Sequence, residues 1–148
     1  MSRIEGSVNV NAPVEEVFEF ASDWKRWSEW FEGVSDFSPT GDTIRGNGAR
    51  YAYRARMMGI PAKVETEIHD FIENKGWTGI STQGLSHKTQ WLFEAQGQST
   101  RFTYILEYDL SVPLLGDLLD RALMKREWRR IIDKSLQNLQ KRFATRRG

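Results

Sequence analysis

Apolar and polar residues alternate over the first ten positions of the chain. Ile4, Gly6, Val8 and Val10 fall on one side, and Glu5, Ser7 and Asn9 on the other. A period of two belongs to a half-buried β-strand. The period then changes. Val14, Val17, Phe18 and Ala21 share one stripe at helical spacing, while Glu15, Glu16 and Glu19 lie outside it. Asn11 is placed to cap this helix, Pro13 suits its first turn, and the early acids suit its positive end. Ser22 or Asp23 then caps a second short helix that carries Trp24, Trp27, Trp30 and Phe31.

Period two returns for the middle of the chain. A weaker strand over 32–38 ends at the turn residues Pro39-Thr40-Gly41-Asp42. Over 49–57, Tyr51, Tyr53, Ala55 and Met57 oppose Arg50, Arg54 and Arg56. Over 62–70, Ala62, Val64, Thr66 and Ile68 oppose Lys63, Glu65, Glu67 and His69, so an antiparallel hairpin of the two places arginines against glutamates. Met57-Met58-Gly59-Ile60-Pro61 joins them as an unusually apolar connection. Strands over 77–82, 86–95 and 99–110 follow, with turns at Glu73-Asn74-Lys75-Gly76 and Gln96-Gly97-Gln98. Their inward sets are Trp91, Phe93 and Ala95, then Phe102, Tyr104, Leu106, Tyr108 and Leu110; Ile105 is an apolar exception on the outer face.

The last stretch is helical. Leu115, Leu118, Leu119, Ala122, Trp128, Ile131, Ile132, Leu136, Leu139 and Phe143 form its apolar stripe after Pro113 or Gly116. A continuous helix over 114–143 would run about 45 Å, so a bend near its start is expected. The order is strand, two helices, six strands, helix, in one domain over 1–148. This gives an α+β fold in which a curved seven-stranded antiparallel sheet wraps around a long C-terminal helix. One helix does not fill so curved a sheet at native packing density, so a cavity is expected between them.

Composition narrows the function classes. The 148 residues contain no cysteine, which excludes disulfides and thiol catalysis, and two histidines, which are too few for a three-histidine zinc site. No apolar window reaches membrane-spanning length, and the first residues lack the apolar core of a signal peptide, so a cytoplasmic location is expected. Net charge is +1, but unevenly spread. Residues 117–148 hold ten Lys or Arg against four Asp or Glu, leaving eleven against sixteen elsewhere. Asp120, Glu127 and Asp133 interrupt the basic run, which therefore reads as the solvated face of a core helix. Met124 with Lys125, Arg126, Arg129 and Arg130 would allow only a weak peripheral contact with anionic lipid. There is no zinc pattern, phosphate loop or reading helix for nucleic acid.

Three stretches carry a resemblance. They are Val10-Asn11-Ala12-Pro13-Val14-Glu15-Glu16-Val17-Phe18, then Ser22-Asp23-Trp24-Lys25-Arg26-Trp27-Ser28-Glu29-Trp30, and finally a closing block. In that block Thr103-Tyr104-Ile105-Leu106-Glu107-Tyr108 leads to Leu114-Leu115-Gly116-Asp117-Leu118-Leu119 and ends at Ser135-Leu136-Gln137-Asn138-Leu139-Gln140. Across nearly the whole chain they resemble the START-like, Bet v 1-like (SRPBCC) superfamily with its helix-grip fold. The match is nearest the polyketide cyclase/dehydrase and coenzyme Q-binding branch. The resemblance implies an internal cavity for a hydrophobic small molecule more than any one reaction. Iron chemistry found among oxygenase relatives does not carry over, because no histidine–carboxylate motif is present; no metal or cofactor is expected.

The inward residues give the expected ligand wall: Tyr51, Tyr53, Thr66, Trp77, Trp91, Phe93, Phe102, Tyr104 and Tyr108 from the sheet, with Leu118, Leu119, Ala122 and Trp128 from the helix and Trp27 beside them. Aromatic walls with a few hydroxyls suit a flat or greasy ligand such as a lipid, quinone or polyketide. The competing reading is plain core packing. Tyr53, Tyr104 and Tyr108 are also placed to stabilise an enolate in a cyclase or dehydratase. His69 points outward by parity, and His87 begins a strand near the cavity mouth. A third reading, an interaction module, rests on the apolar connection and the basic helix. The sequence leaves monomer and homodimer open.

Overall fold

The computed structural model describes residues 2–57, 60–109 and 121–144. The first strand, β1 (Ser2–Val10), is followed by α1 (Val14–Ala21). Pro13, not Asn11, occupies the position before the helix, and its carbonyl accepts from the Glu16 and Val17 amides. Asp23 caps the next turn by accepting from the Lys25 amide at 3.1 Å. That 3₁₀ turn runs straight into α2 (Trp27–Trp30). The remaining strands are β2 (Val34–Pro39), β3 (Arg50–Met57), β4 (Ile60–Ile72), β5 (Gly76–Gln83), β6 (His87–Gln96) and β7 (Ser99–Tyr108). The closing helix, α3, spans Arg121–Ala144.

All seven strands form one antiparallel sheet in the order β1-β7-β6-β5-β4-β3-β2. Consecutive strands from β2 to β7 are neighbours, so the sheet is a meander closed at one side by β1. The two short helices carry the chain from one sheet edge to the other. Curvature has local causes. The β4–β5 register slips between Glu65 and Thr66 and again between His69 and Ile72, where Asp70 adopts a φ of 53°. Bulges of this kind bend a strand and increase its twist. The expected charge ladder is present in part: Arg50 faces Glu67 across the β3–β4 pair and bonds to it. Arg54 instead faces Lys63 and reaches Asp36 on β2 at 3.7 Å.

α3 grips the sheet through its apolar stripe. Trp128, Ile131, Ile132, Leu136, Leu139 and Phe143 are all buried. Gly6 permits the close approach to β1, because a Cβ there would sit 2.8 Å from Leu136 Cδ1. Ala122 is on the exposed side of the helix, not on the inner wall. Met124 is fully buried, so it belongs to the core rather than to a lipid-facing cluster. Leu110, Pro113, Leu115, Gly116, Leu118 and Leu119, and the expected bend, lie outside the described residues. Ile60 and Pro61 belong to β4 rather than to a connection, with Ile60 opposite Met57. One other expectation fails at the sheet surface: Ala95 is exposed. Ile105 lies on the outer face opposite Glu5 and Gln90, as expected, and is 6% exposed.

The core is two-part. At the end nearer α1, Phe18 packs edge-on against Phe71, Trp77 and Phe93 at 5.5, 5.6 and 5.0 Å between ring centres. Phe93 continues to Phe102 at 4.8 Å. This end is solid. Contacts of this type add about 0.5–1.5 kcal/mol per pair beyond burial. The other half of the sheet is open inside, and the cavity lies there.

Candidate functional site: an aromatic cavity

Both short and long helices join the sheet in building the cavity wall. α2 and the residues after it contribute Trp27, Phe31, Val34 and Phe37; β3 and β4 contribute Tyr51, Tyr53, Ala55, Val64, Thr66 and Ile68. Trp77 and Gly79 come from β5. Leu85 precedes β6, which adds His87, Thr89 and Trp91; Tyr104 and Leu106 come from β7, and Trp128 from α3. The space open to the centre of a water molecule is about 80 Å³. One buried water needs roughly 10–15 Å³ by that measure, so the interior is hollow rather than packed. Trp77 and Trp91 form a stacked floor, with ring centres 4.7 Å apart.

One corner of this apolar space is polar. The Tyr53 hydroxyl lies 3.0 Å from Thr66 Oγ1, and both lie 3.2 Å from His87 Nε2. The other ring nitrogen, Nδ1, lies 2.8 Å from the Leu85 carbonyl oxygen. A carbonyl only accepts, so Nδ1 carries the proton and donates it. In the neutral ring Nε2 is then an acceptor, and a hydroxyl of Tyr53 or Thr66 donates to it. Burial lowers the His87 pKa from its usual 6.5, which keeps the ring neutral; the Leu85 bond opposes this only in part. Burial likewise raises the Tyr53 phenol to about 12, and the Tyr51 phenol to about 12. Tyr51 donates to the Ile44 carbonyl.

Tyr104 is different. It is only 7% exposed, and burial, helped by neighbouring Tyr53, pushes its phenol well above 10. Its hydroxyl has no hydrogen-bond partner among the described residues, yet its side chain lines the cavity. Among the described residues it is therefore a neutral donor held in apolar surroundings with no acceptor. Gly79 supports the same corner by being small. A Cβ there would lie 2.6 Å from Thr89 Oγ1 and 2.9 Å from Thr66 Cγ2.

The sequence expectations divide cleanly. Tyr51, Tyr53, Thr66, Trp77, Trp91, Tyr104, Trp128 and Trp27 are brought together around the cavity. Phe93, Phe102 and Tyr108 are not among its lining residues. Phe93 and Phe102 lie in the solid aromatic half, and Tyr108 is fully buried 6.2 Å from Trp128. Ala122 faces outward, and Leu118 and Leu119 lie outside the described residues. His69 is on the outer face and pairs with Glu67 at 2.8 Å, as its parity predicts. His87 is a buried wall residue of the polar corner. Its parity with Trp91 carried that signal, and the same parity brings in Thr89. Phe31, Val34, Phe37, Leu85 and Gly79 were missed. Among the described residues no cluster of His, Asp or Glu is fit to hold a metal ion.

The model of the polyketide cyclase / dehydrase and lipid transport family matches residues 1–144. The chain belongs to this family. Solved structures share its fold along nearly their whole length. TTHA0849 from Thermus thermophilus is 22% identical, with a TM-score of 0.82 over 97% of each chain. A START superfamily protein from Mycobacterium smegmatis is 15% identical, with a TM-score of 0.79 over 96% of this chain and 97% of that one. A conserved protein from Geobacillus kaustophilus is 15% identical, with a TM-score of 0.75 over 97% and 95%. At these identities the likeness concerns the fold alone. Among curated proteins none matches the chain. No helix among the described residues is long and apolar enough to cross a membrane.

Proposed function

We propose that this member of the family binds a hydrophobic small molecule, of lipid, quinone or polyketide type, inside the cavity. The observation that carries this reading is the hollow between sheet and helix, walled by aromatic rings and branched aliphatic chains. Apolar cavities of that kind gain free energy by taking an apolar guest out of water. The ligand wall is assigned to Tyr51, Tyr53, Thr66, Trp77, Trp91, Tyr104 and Trp128, with His87 and Phe31 added. The protein acts in the cytoplasm as a monomer or homodimer. Any membrane contact is weak and electrostatic, through Lys125 and Arg126 on the exposed face of α3. The test is uptake of N-phenyl-1-naphthylamine followed by its fluorescence. The expected result is saturable binding of one probe per chain, weakened in Ala55→Leu, which places extra volume on the wall. Uptake that never saturates, or is unchanged in the variant, contradicts the reading.

A second reading, a cyclase or dehydratase, is favoured by one feature. The His87 imidazole is neutral, and its Nε2 lone pair is held toward Tyr53 inside the cavity. Once a ligand displaces the hydroxyl that donates to Nε2, this base is free to take a proton from the carbon beside a ligand carbonyl, while a tyrosine hydroxyl donates to the resulting enolate oxygen.

A further inference from the structure

We propose that the cavity selects an uncharged ligand bearing one hydrogen-bonding oxygen, which docks at the Tyr104 hydroxyl beside the Tyr53–Thr66–His87 corner. This rests on the reading of the cavity as a ligand site and adds to it the ligand's charge and the position of its polar atom.

Charge is the first argument. No Lys, Arg, Asp or Glu is among the described lining residues. A carboxylate or phosphate entering the cavity would lose its hydration and meet no cation among the described residues. Burying an unpaired ion stays costly even after relaxation, which outweighs the gain from a small apolar body. The cavity therefore discriminates against fatty-acid and phosphate anions.

The polar corner supplies the second argument. In the Tyr53–Thr66–His87 triangle one hydroxyl proton goes to Nε2 and the other to the neighbouring hydroxyl oxygen. The triangle has spent its donors and keeps only oxygen lone pairs. Tyr104 supplies the reverse, a donor without an acceptor among the described residues. An oxygen placed between them accepts from Tyr104, and if it is a hydroxyl it also donates to Tyr53 or Thr66. A phenol satisfies both sides, whereas a bare hydrocarbon leaves the Tyr104 donor orphaned.

Three molecules of one shape separate the terms at pH 7.5: naphthalene, 2-naphthol and 2-naphthoate, each titrated by quenching of tryptophan fluorescence. We expect 2-naphthol to bind roughly three- to tenfold more tightly than naphthalene, the yield of one well-made hydrogen bond. We expect 2-naphthoate to bind at least about a hundredfold more weakly than 2-naphthol. In Tyr104→Phe the naphthol advantage should vanish while naphthalene affinity holds, which also shows that the variant folds. Equal binding of all three, or an advantage that survives Tyr104→Phe, overturns this inference and leaves the cavity reading standing. Failure of naphthalene and 2-naphthol alike to bind overturns the cavity reading and this inference with it.

Discussion

Tyr104 and His87 carry the chemistry of this interior, and each is informative because burial acts on it in a known direction. Tyr104 was legible in the sequence as an inward tyrosine. Its lack of a partner was not, because that depends on what β3 and β4 present across the cavity. His87 shares parity with Thr89 and Trp91, so its inward direction was legible too. Its tautomer was not, since the Leu85 carbonyl that fixes it lies in the turn before β6. The lowered His87 pKa has a consequence for stability. The unfolded chain takes up this proton near pH 6.5, and the folded chain only at lower pH. The contribution is thus complete above about pH 6.5 and is lost as pH falls through the folded value. Thermal unfolding followed by circular dichroism should show stability starting to fall as pH drops below about 6.5. In His87→Gln the fall should be absent. A wild-type curve flat from pH 7 to pH 5 would show that His87 is not buried neutral.

Elements were readable where the alternation runs unbroken through the residues that face inward. β3 and β7 follow period two, and their inward residues were identified nearly in full; in β6 the reading gave Trp91 and Phe93 but not Thr89, and Ala95 is exposed. β2 breaks the rule. Its pairing with β3 slips between Ser35 and Ser38, and Asp36 has a φ of 60°. This lets Val34 and Phe37, three positions apart, both reach the cavity. No alternation in the sequence announces that. Gly79 was invisible for another reason: it acts through the absence of a side chain. The start of β5 depends on a glycine more strictly. Gly76 has a φ of 140°, and a Cβ there would fall 1.9 Å from the Trp91 carbonyl oxygen, which is backbone and cannot turn aside. Gly76→Ala should therefore destabilise the protein by about 3 kcal/mol or more, measured by urea unfolding. Because the clash lies beneath the stacked tryptophans, the same variant should lose probe uptake. A loss under about 1 kcal/mol would mean that the β5–β6 pairing adjusts there freely.

At the scale of the whole molecule, the architecture followed from counting. One helix against seven curved strands leaves interior space unless the side chains are large enough to close it. Here they close one half. Phe18, Phe71, Phe93 and Phe102 fill the end against α1, and the other end stays hollow. The sequence could not say which half, because all these rings share the inward parity. That is why Phe93, Phe102 and Tyr108 read as wall residues although they are buried away from the cavity lining. The basic face of α3 is mostly a solvated exterior, as its interruptions implied: Arg129 donates to the Glu5 carbonyl, and Arg130 pairs with Glu127.

The central claim is that the guest sits inside, and amide and indole shifts in a ¹⁵N spectrum report its place most directly. On titration with N-phenyl-1-naphthylamine, saturating shifts should concentrate at Thr66, Gly79, His87, Thr89 and the Trp91 indole. Shifts confined to the exposed apolar residues of the outer sheet face, Ile72, Ile80 and Leu92, would place the probe on the surface and contradict the account.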